Sequence, residues 1–136
     1  MMMPRITAFY AALSALLIVI LAIRVTLQRR ATRIGIGDNG DHALAKRVRA
    51  HANSVEFIPI ALILLLVCEL LAIAPLWLHV FGIAIVLGRI LHAWGLNASS
   101  GVTIGRSGGY VLTVLAIIVM ALVMLWQSVL WWITAL

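Results

Sequence analysis

Apolar residues run through this chain in four long blocks, and short polar stretches separate them. Residues 6–23 and 110–136 contain no charged side chain. A helix needs about 20 mainly apolar residues to cross a bilayer, and each block reaches that length with its flanks. The pattern therefore predicts one domain over residues 1–136, with four membrane-spanning helices at about residues 6–28, 43–74, 76–95 and 109–135.

Composition supports the same interpretation. The chain is 65% hydrophobic and 10% charged, with a mean hydropathy of +1.17. These values are typical of a membrane protein and leave no room for a separate soluble domain. The predicted fold class is therefore an all-α membrane protein, a four-transmembrane-helix bundle.

The net charge of +6 and the pI near 11.2 would indicate a nucleic-acid partner in a soluble protein. Here the basic residues flank apolar runs, so membrane topology explains them and no nucleic-acid binding is predicted. The stretch that joins the first two helices contains Arg24, Arg29, Arg30, Arg33, Lys46, Arg47 and Arg49. Because cytoplasmic connections are enriched in Lys and Arg, we predict that this stretch and the one around Arg106 face the cytoplasm, with both termini outside.

Single residues refine the helix boundaries. Asp41 is predicted to cap the second helix, Pro59 to bend it, and Pro75 to mark the turn before the third. The single cysteine, Cys68, excludes an internal disulfide and is interpreted as a small apolar residue within the second helix.

A polar cluster opens the second helix. Arg49, Asn53 and Glu56 are spaced i, i+4, i+7, so they share one helical face. Near membrane depth each isolated group would cost a few kcal/mol to bury. Together, or with a polar ligand, these side chains satisfy one another's need for hydrogen-bond and charge partners.

A second polar cluster lies on the third helix and beyond it. Arg89 and His92 are spaced i, i+3, and Arg106 follows in the predicted loop. The second helix begins where the third ends, so the two clusters meet at one membrane face. Arginine forks bind carboxylates and Glu56 would bind an amine, so this site suits an anion that also carries an ammonium group.

The residues alone leave a structural alternative open. Arginines at helix ends often extend to the membrane surface, and Arg49 could pair with Glu56 only to stabilise the helix. His51 lies about 200° around the helix from Arg49, where it serves a neighbouring subunit or faces the headgroups. No set of His, Cys and carboxylate residues has metal-binding spacing, so no metal is predicted.

Two segments resemble a known family. Residues 49–59, R-A-H-A-N-S-V-E-F-I-P, and residues 88–96, G-R-I-L-H-A-W-G-L, are similar to the MAPEG family, the membrane-associated proteins in eicosanoid and glutathione metabolism. The resemblance covers the whole chain and is strongest to the small bacterial branch. It implies a homotrimer in the bacterial inner membrane, with glutathione as co-substrate between adjacent subunits near the cytoplasmic side.

The resemblance also implies residue roles. Arg106 is similar to the arginine that stabilises the glutathione thiolate, and His51 is expected to act from the neighbouring subunit. Tyrosines of the eicosanoid-forming members are replaced here by Phe57, His92 and Leu96, and His92 is expected to replace one hydrogen-bond donor. The expected glutathione-binding residues are Arg49, Asn53, Glu56, Arg89, His92, His51 and Arg30, with Arg24 as the alternative to Arg30.

The expected function is a membrane-bound glutathione-dependent transferase or peroxidase that acts on lipophilic small molecules. Lowering a thiol pKa from about 8.5 by two units takes only ~2.7 kcal/mol, which one guanidinium can supply. The alternative is a non-catalytic glutathione- or lipid-binding membrane protein of the same fold. Small multidrug transporters also have four helices, but they carry an acidic residue in the first helix, and residues 6–23 have none.

Overall fold

The computed structural model describes residues 3–98 and 101–135, and each long apolar block in it is a helix. Every helix is long and apolar enough to cross a membrane. No strand occurs within the described residues, so the predicted all-α fold class is confirmed. The helices are α1 (Arg5–Thr32), α2 (His42–Leu70), α3 (Pro75–Ala98) and α4 (Ile104–Ala135).

Four helix boundaries differ from their predicted positions. α1 ends at Thr32 rather than at residue 28, and α3 extends to Ala98 rather than to residue 95. α2 ends at Leu70 rather than at residue 74, and Ala72 in the connection has a left-handed φ of 59°. α4 begins at Ile104 rather than at residue 109, because the Thr103 hydroxyl accepts a hydrogen bond from the backbone N–H of Arg106 at 3.2 Å. Arg106 therefore lies in the first turn of α4 and not in a loop.

The predictions for Asp41, Pro75 and Pro59 have different outcomes. Asp41 caps α2 as predicted, and Pro75 is the first residue of α3, a position that suits proline. Pro59 lies inside α2, and the predicted bend there stays a prediction. Ser99 and Ser100, in the polar stretch before Arg106, lie outside the described residues.

Short connections make successive helices run in opposite directions. We call the end where α1 and α3 finish the basic end. At the opposite end Glu69 of α2 fastens the start of α1: its carboxylate accepts hydrogen bonds from the backbone N–H groups of Ile6, at 3.0 Å, and Thr7, at 2.7 Å. The carboxylate thus satisfies helix-terminal donors that would otherwise be unpaired in an apolar setting.

The core is apolar, and so is much of the outer surface. Tyr10, Leu65, Phe81, Ile85 and Met120 belong to one buried cluster that joins all four helices. Many leucines and isoleucines, such as Leu16 and Ile83, remain exposed along the helix faces. Such a surface fits lipid contact, since aliphatic side chains and lipid tails are equally apolar.

Glycines bring α3 and α4 into close contact. A Cβ atom on Gly88 would collide with the Thr113 hydroxyl, and one on Gly95 with the backbone nitrogen of Arg106. A Cβ on Gly109 would meet the backbone of Gly88 and His92. Small residues allow this backbone approach, which is a common basis of helix association in membranes.

The Asp41 cap predicts a pH effect. The pKa of Asp41 lies below its ordinary value of 3.8, first because its carboxylate accepts the N–H of Leu44 at 2.8 Å, with Gln28 and Arg47 adding to the effect. A lowered folded-state pKa stabilises the protein above the unfolded value, and the contribution disappears as pH falls through the folded value. We expect the melting-temperature advantage over Asp41→Asn, an uncharged cap, to shrink between neutral pH and pH below 3.8. A pH-independent difference would contradict this role.

The α3–α4 contact predicts a steric effect. Gly109→Ala should lower the stability of the detergent-solubilised protein by about 1–3 kcal/mol, the usual cost of overpacking. Gly108→Ala is the matched control, since a Cβ there meets nothing within 4 Å, and it should be neutral or slightly stabilising. Thermal unfolding of both variants checks the prediction, and equal melting curves would refute it.

Candidate functional site

A polar cavity of about 350 Å³ opens at the basic end between α2, α3 and α4. This volume falls within the range of small-molecule sites. We call it the central cavity. Its lining residues are Arg49, Asn53, His92, Val102, Arg106, Ser107, Tyr110 and Val111.

Helix α2 contributes Arg49 and Asn53, one turn apart on the same face, as the sequence predicted. The Asn53 amide nitrogen donates to the backbone oxygen of Arg49 at 2.9 Å, which fixes the side chain and leaves its oxygen free to accept. Glu56 lies one turn further on, is exposed, and does not line the central cavity of a single chain.

Helix α4 contributes Arg106 and Tyr110, also one turn apart. The Thr103 cap places Arg106 at the third position of the helix. Helix starts carry partial positive charge, which disfavours an arginine there but favours a bound anion. Tyr110 supplies a hydroxyl that sequence reasoning missed. Its i, i+4 spacing from Arg106 is informative only once the helix is known to begin at Ile104.

His92 joins α3 to the first turn of α4. Its Nδ1 lies 2.9 Å from the backbone oxygen of Arg106, which can only accept, so Nδ1 donates. In the neutral ring Nε2 is then an acceptor, and it is buried without a hydrogen-bond partner among the described residues. His92 lines the central cavity with Nδ1 bound to the Arg106 backbone, and the expectation that it replaces a ligand donor stays a prediction.

Arg89 does not line the central cavity of a single chain, and its expected role at glutathione stays a prediction. It is fully buried, with Nε donating to the Thr113 hydroxyl at 3.0 Å and Nη2 to the Gly109 carbonyl at 3.2 Å. Its guanidinium also lies 4.9 Å from the ring centre of Phe57. Arg89 therefore connects α3 to α4 and α2 behind the central cavity, instead of lining it.

Phe57 stands where the eicosanoid-forming members have tyrosine. Its ring meets that of Tyr110 edge-on, with ring centres 5.7 Å apart. At this position an aromatic ring without a hydroxyl therefore packs against both Arg89 and Tyr110.

The remaining predicted residues lie outside the central cavity of one chain. Arg30 is exposed on α1 and His51 is half-buried on α2. Arg24 borders a different cavity with Lys46 and Arg47. The roles expected for Arg30 and His51 depend on a neighbouring subunit and stay predictions.

The charge at the central cavity is positive. Arg49 and Arg106 line it, and none of its described lining residues is acidic. The described part of the chain also contains no group of three His, Cys, Asp or Glu residues placed to hold a metal ion. The arrangement can bind an anion at an apolar boundary, with a hydroxyl and a ring nitrogen close by.

Comparisons with known proteins show which family the chain belongs to. The sequence model of the MAPEG family matches residues 7–126. The inner membrane protein YecN of Escherichia coli K12 is 35% identical over 121 residues, covering 89% of this chain and 91% of that protein. YecN of E. coli O6:H1 matches with the same values. No solved structure gives a significant match. The chain, with its four apolar helices, is an integral membrane protein and belongs to the MAPEG family.

Proposed function

We propose that this protein is a membrane-bound glutathione-dependent transferase or peroxidase that acts on lipophilic electrophiles. The observation that carries the proposal is the central cavity, where Arg49 and Arg106 meet without an acidic neighbour among the described lining residues. Membership of the MAPEG family supports glutathione as the thiol.

Glutathione has two carboxylates, an ammonium group and a thiol. Arg49 provides a fork for one carboxylate, and the free oxygen of Asn53 accepts from a peptide or ammonium N–H. The thiol lies towards α4, where Arg106 and the helix start both favour negative charge.

Arg106 has the central chemical role. A free thiol has a pKa of about 8.5 and is mostly protonated at neutral pH, whereas the thiolate is the nucleophile. A guanidinium beside the sulfur favours the thiolate, and about 2.7 kcal/mol raises the ratio of thiolate to thiol roughly 100-fold. The thiolate then forms an S–C bond with the electrophile, whose leaving group departs with the bonding electron pair.

Apolar side chains give the electrophile its access. Val102 and Val111 line the central cavity beside Tyr110, whose hydroxyl can donate a hydrogen bond to the leaving group or to the sulfur. A lipophilic substrate reaches this wall from the bilayer. The protein itself needs no nucleophile.

The proposed enzyme is a homotrimer, in which a neighbouring subunit contributes to each site. Glu56 and Arg30 are exposed in one chain and His51 is half-buried, so all three are available to an adjacent subunit. The proposed location is the bacterial inner membrane, as the name of YecN states for that relative. The basic end lies in the cytoplasm and both termini outside, because the Lys and Arg residues gather there.

Arg106→Gln tests the chemical role. We expect glutathione-dependent conjugation of a generic aryl halide by the purified protein to fall roughly 25-fold at neutral pH, because the fraction of glutathione present as thiolate drops when its counter-charge is lost. Raising the pH should restore part of the rate, and Arg106→Lys should retain part of it. Arg5→Gln, which removes an exposed charge at the opposite end, is the matched control and should leave turnover unchanged.

No glutathione-dependent turnover in the wild-type protein, or equal turnover in Arg106→Gln, would contradict the enzyme assignment. The second candidate, a non-catalytic glutathione- or lipid-binding protein, is favoured by Phe57, whose ring packs on Arg89 and Tyr110 where a hydroxyl would otherwise act.

Calorimetric titration of glutathione into the detergent-solubilised protein separates the two candidates. Arg49→Gln should weaken binding about tenfold or more, because it removes a charge-assisted hydrogen bond to a carboxylate. Glu56→Gln should weaken it if Glu56 binds the ammonium group from either subunit. Binding without turnover selects the non-catalytic candidate, and binding that is unaffected by Arg49→Gln would place glutathione elsewhere.

A further inference from the structure

A second polar cavity lies at the basic end, apart from the central cavity. It measures about 410 Å³ and forms where α1 and α3 end beside the start of α2. We call it the basic cup. Its lining residues are Arg24, His42, Ala43, Lys46, Arg47 and Asn97.

The basic cup keeps a net positive charge. Arg47 donates to the backbone oxygen of Arg24 at 3.2 Å, which fixes the Arg47 side chain at the rim. Among the described residues no carboxylate forms an ion pair with Arg24, Lys46 or Arg47. Asp41 interacts electrostatically with Arg47 and offsets part of the charge, while its oxygens accept from Leu44 and Gln28. The cup thus has the charge and the size for a phosphate group.

An apolar groove of about 430 Å³ lies further into the bilayer between α1 and α3. We call it the lipid groove. Leu13, Leu87 and Ile90 in its wall are exposed on the membrane-facing surface. Its lining residues are Phe9, Tyr10, Leu13, Ile83, Val86, Leu87 and Ile90.

Helical geometry places the basic cup directly above the lipid groove. Leu13 and Arg24 are eleven residues apart on α1, which corresponds to only about 20° of rotation and ~16 Å of rise. Ile90 and Asn97 on α3 are likewise about 20° apart. The rise is about half of a ~30 Å hydrocarbon core, so the cup and the groove lie at different depths on the same side of the bundle. Leu17, Leu21 and Ala93 pack between the helices at the intermediate level.

We infer that the basic cup and the lipid groove together bind one anionic phospholipid. The phosphate and headgroup occupy the cup, and an acyl chain follows the groove. Basic pockets between membrane helices on the cytoplasmic side recognise anionic headgroups in this way. A second copy of the chain fits less well, because in the same orientation it brings its own basic residues to the same level. The inference does not depend on the glutathione chemistry.

Native mass spectrometry of the full-length protein in detergent tests the inference, with phosphatidylglycerol and phosphatidylcholine of identical acyl chains as probes. Wild-type protein should retain phosphatidylglycerol at least about tenfold more tightly. The double variant Arg24→Gln/Lys46→Gln should reduce phosphatidylglycerol affinity about 30-fold, to the level of phosphatidylcholine. Leu87→Ala/Ile90→Ala should weaken both lipids alike and keep the headgroup preference.

The matched charge control is Arg33→Asn. It removes an exposed positive charge near the same end, and asparagine tolerates the left-handed φ of 57° at that position. The control should keep the lipid preference. Should the double variant fail to fold, Lys46→Gln alone carries the test, with about a fivefold loss expected.

Three results would overturn the inference. Equal retention of both lipids by the wild-type protein would show that it has no site selective for an anionic headgroup. Competition by glycerol phosphate at the lipid's own concentration would show a site for soluble anions. A change in oligomeric mass in the double variant, with unaltered lipid retention, would assign the surface to a second copy.

Discussion

The close packing of α3 against α4 positions the polar groups that these two helices contribute to the central cavity. Gly88 and Gly109 let the two backbones approach, and this brings the Gly109 carbonyl and the Thr113 hydroxyl within reach of Arg89. The same approach sets His92 against the Arg106 carbonyl. Buried polar groups in a bilayer must find partners within the protein, so a larger residue at the contact would cost both packing and hydrogen bonds.

Most basic side chains lie at one end of the bundle. The opposite end holds Glu69, whose carboxylate is bound by two backbone N–H groups of α1. At the basic end, Arg106 lies in the first turn of α4, where the partial positive charge of the helix N-terminus disfavours a cation. In the proposed site a bound anion would offset this unfavourable interaction.

Periodicity was enough to predict four helices and the shared face of Arg49 and Asn53, because both depend on spacing within one helix. Contacts between helices could not be predicted in the same way. Arg89 is one turn from His92, yet it is directed behind the cavity by acceptors more than twenty residues away in α4. Tyr110 was missed because the glycines before it placed Arg106 in a loop, whereas the Thr103 cap starts the helix earlier and sets the two residues one turn apart. The hydrogen bonds of Glu69 could not be predicted from the sequence, since their donors are backbone groups 62 and 63 residues away.

The single chain leaves a particular set of polar side chains outside its own cavity. Glu56 is exposed next to apolar residues such as Val55 and Ile60, which are exposed too. An ionised group facing lipid costs several kcal/mol, whereas one facing a polar ligand or a basic neighbour does not. The bundle satisfies Glu69 within itself through two backbone N–H groups, whereas Glu56 is exposed. The position of Glu56 is thus the physical argument for a site completed by an adjacent subunit.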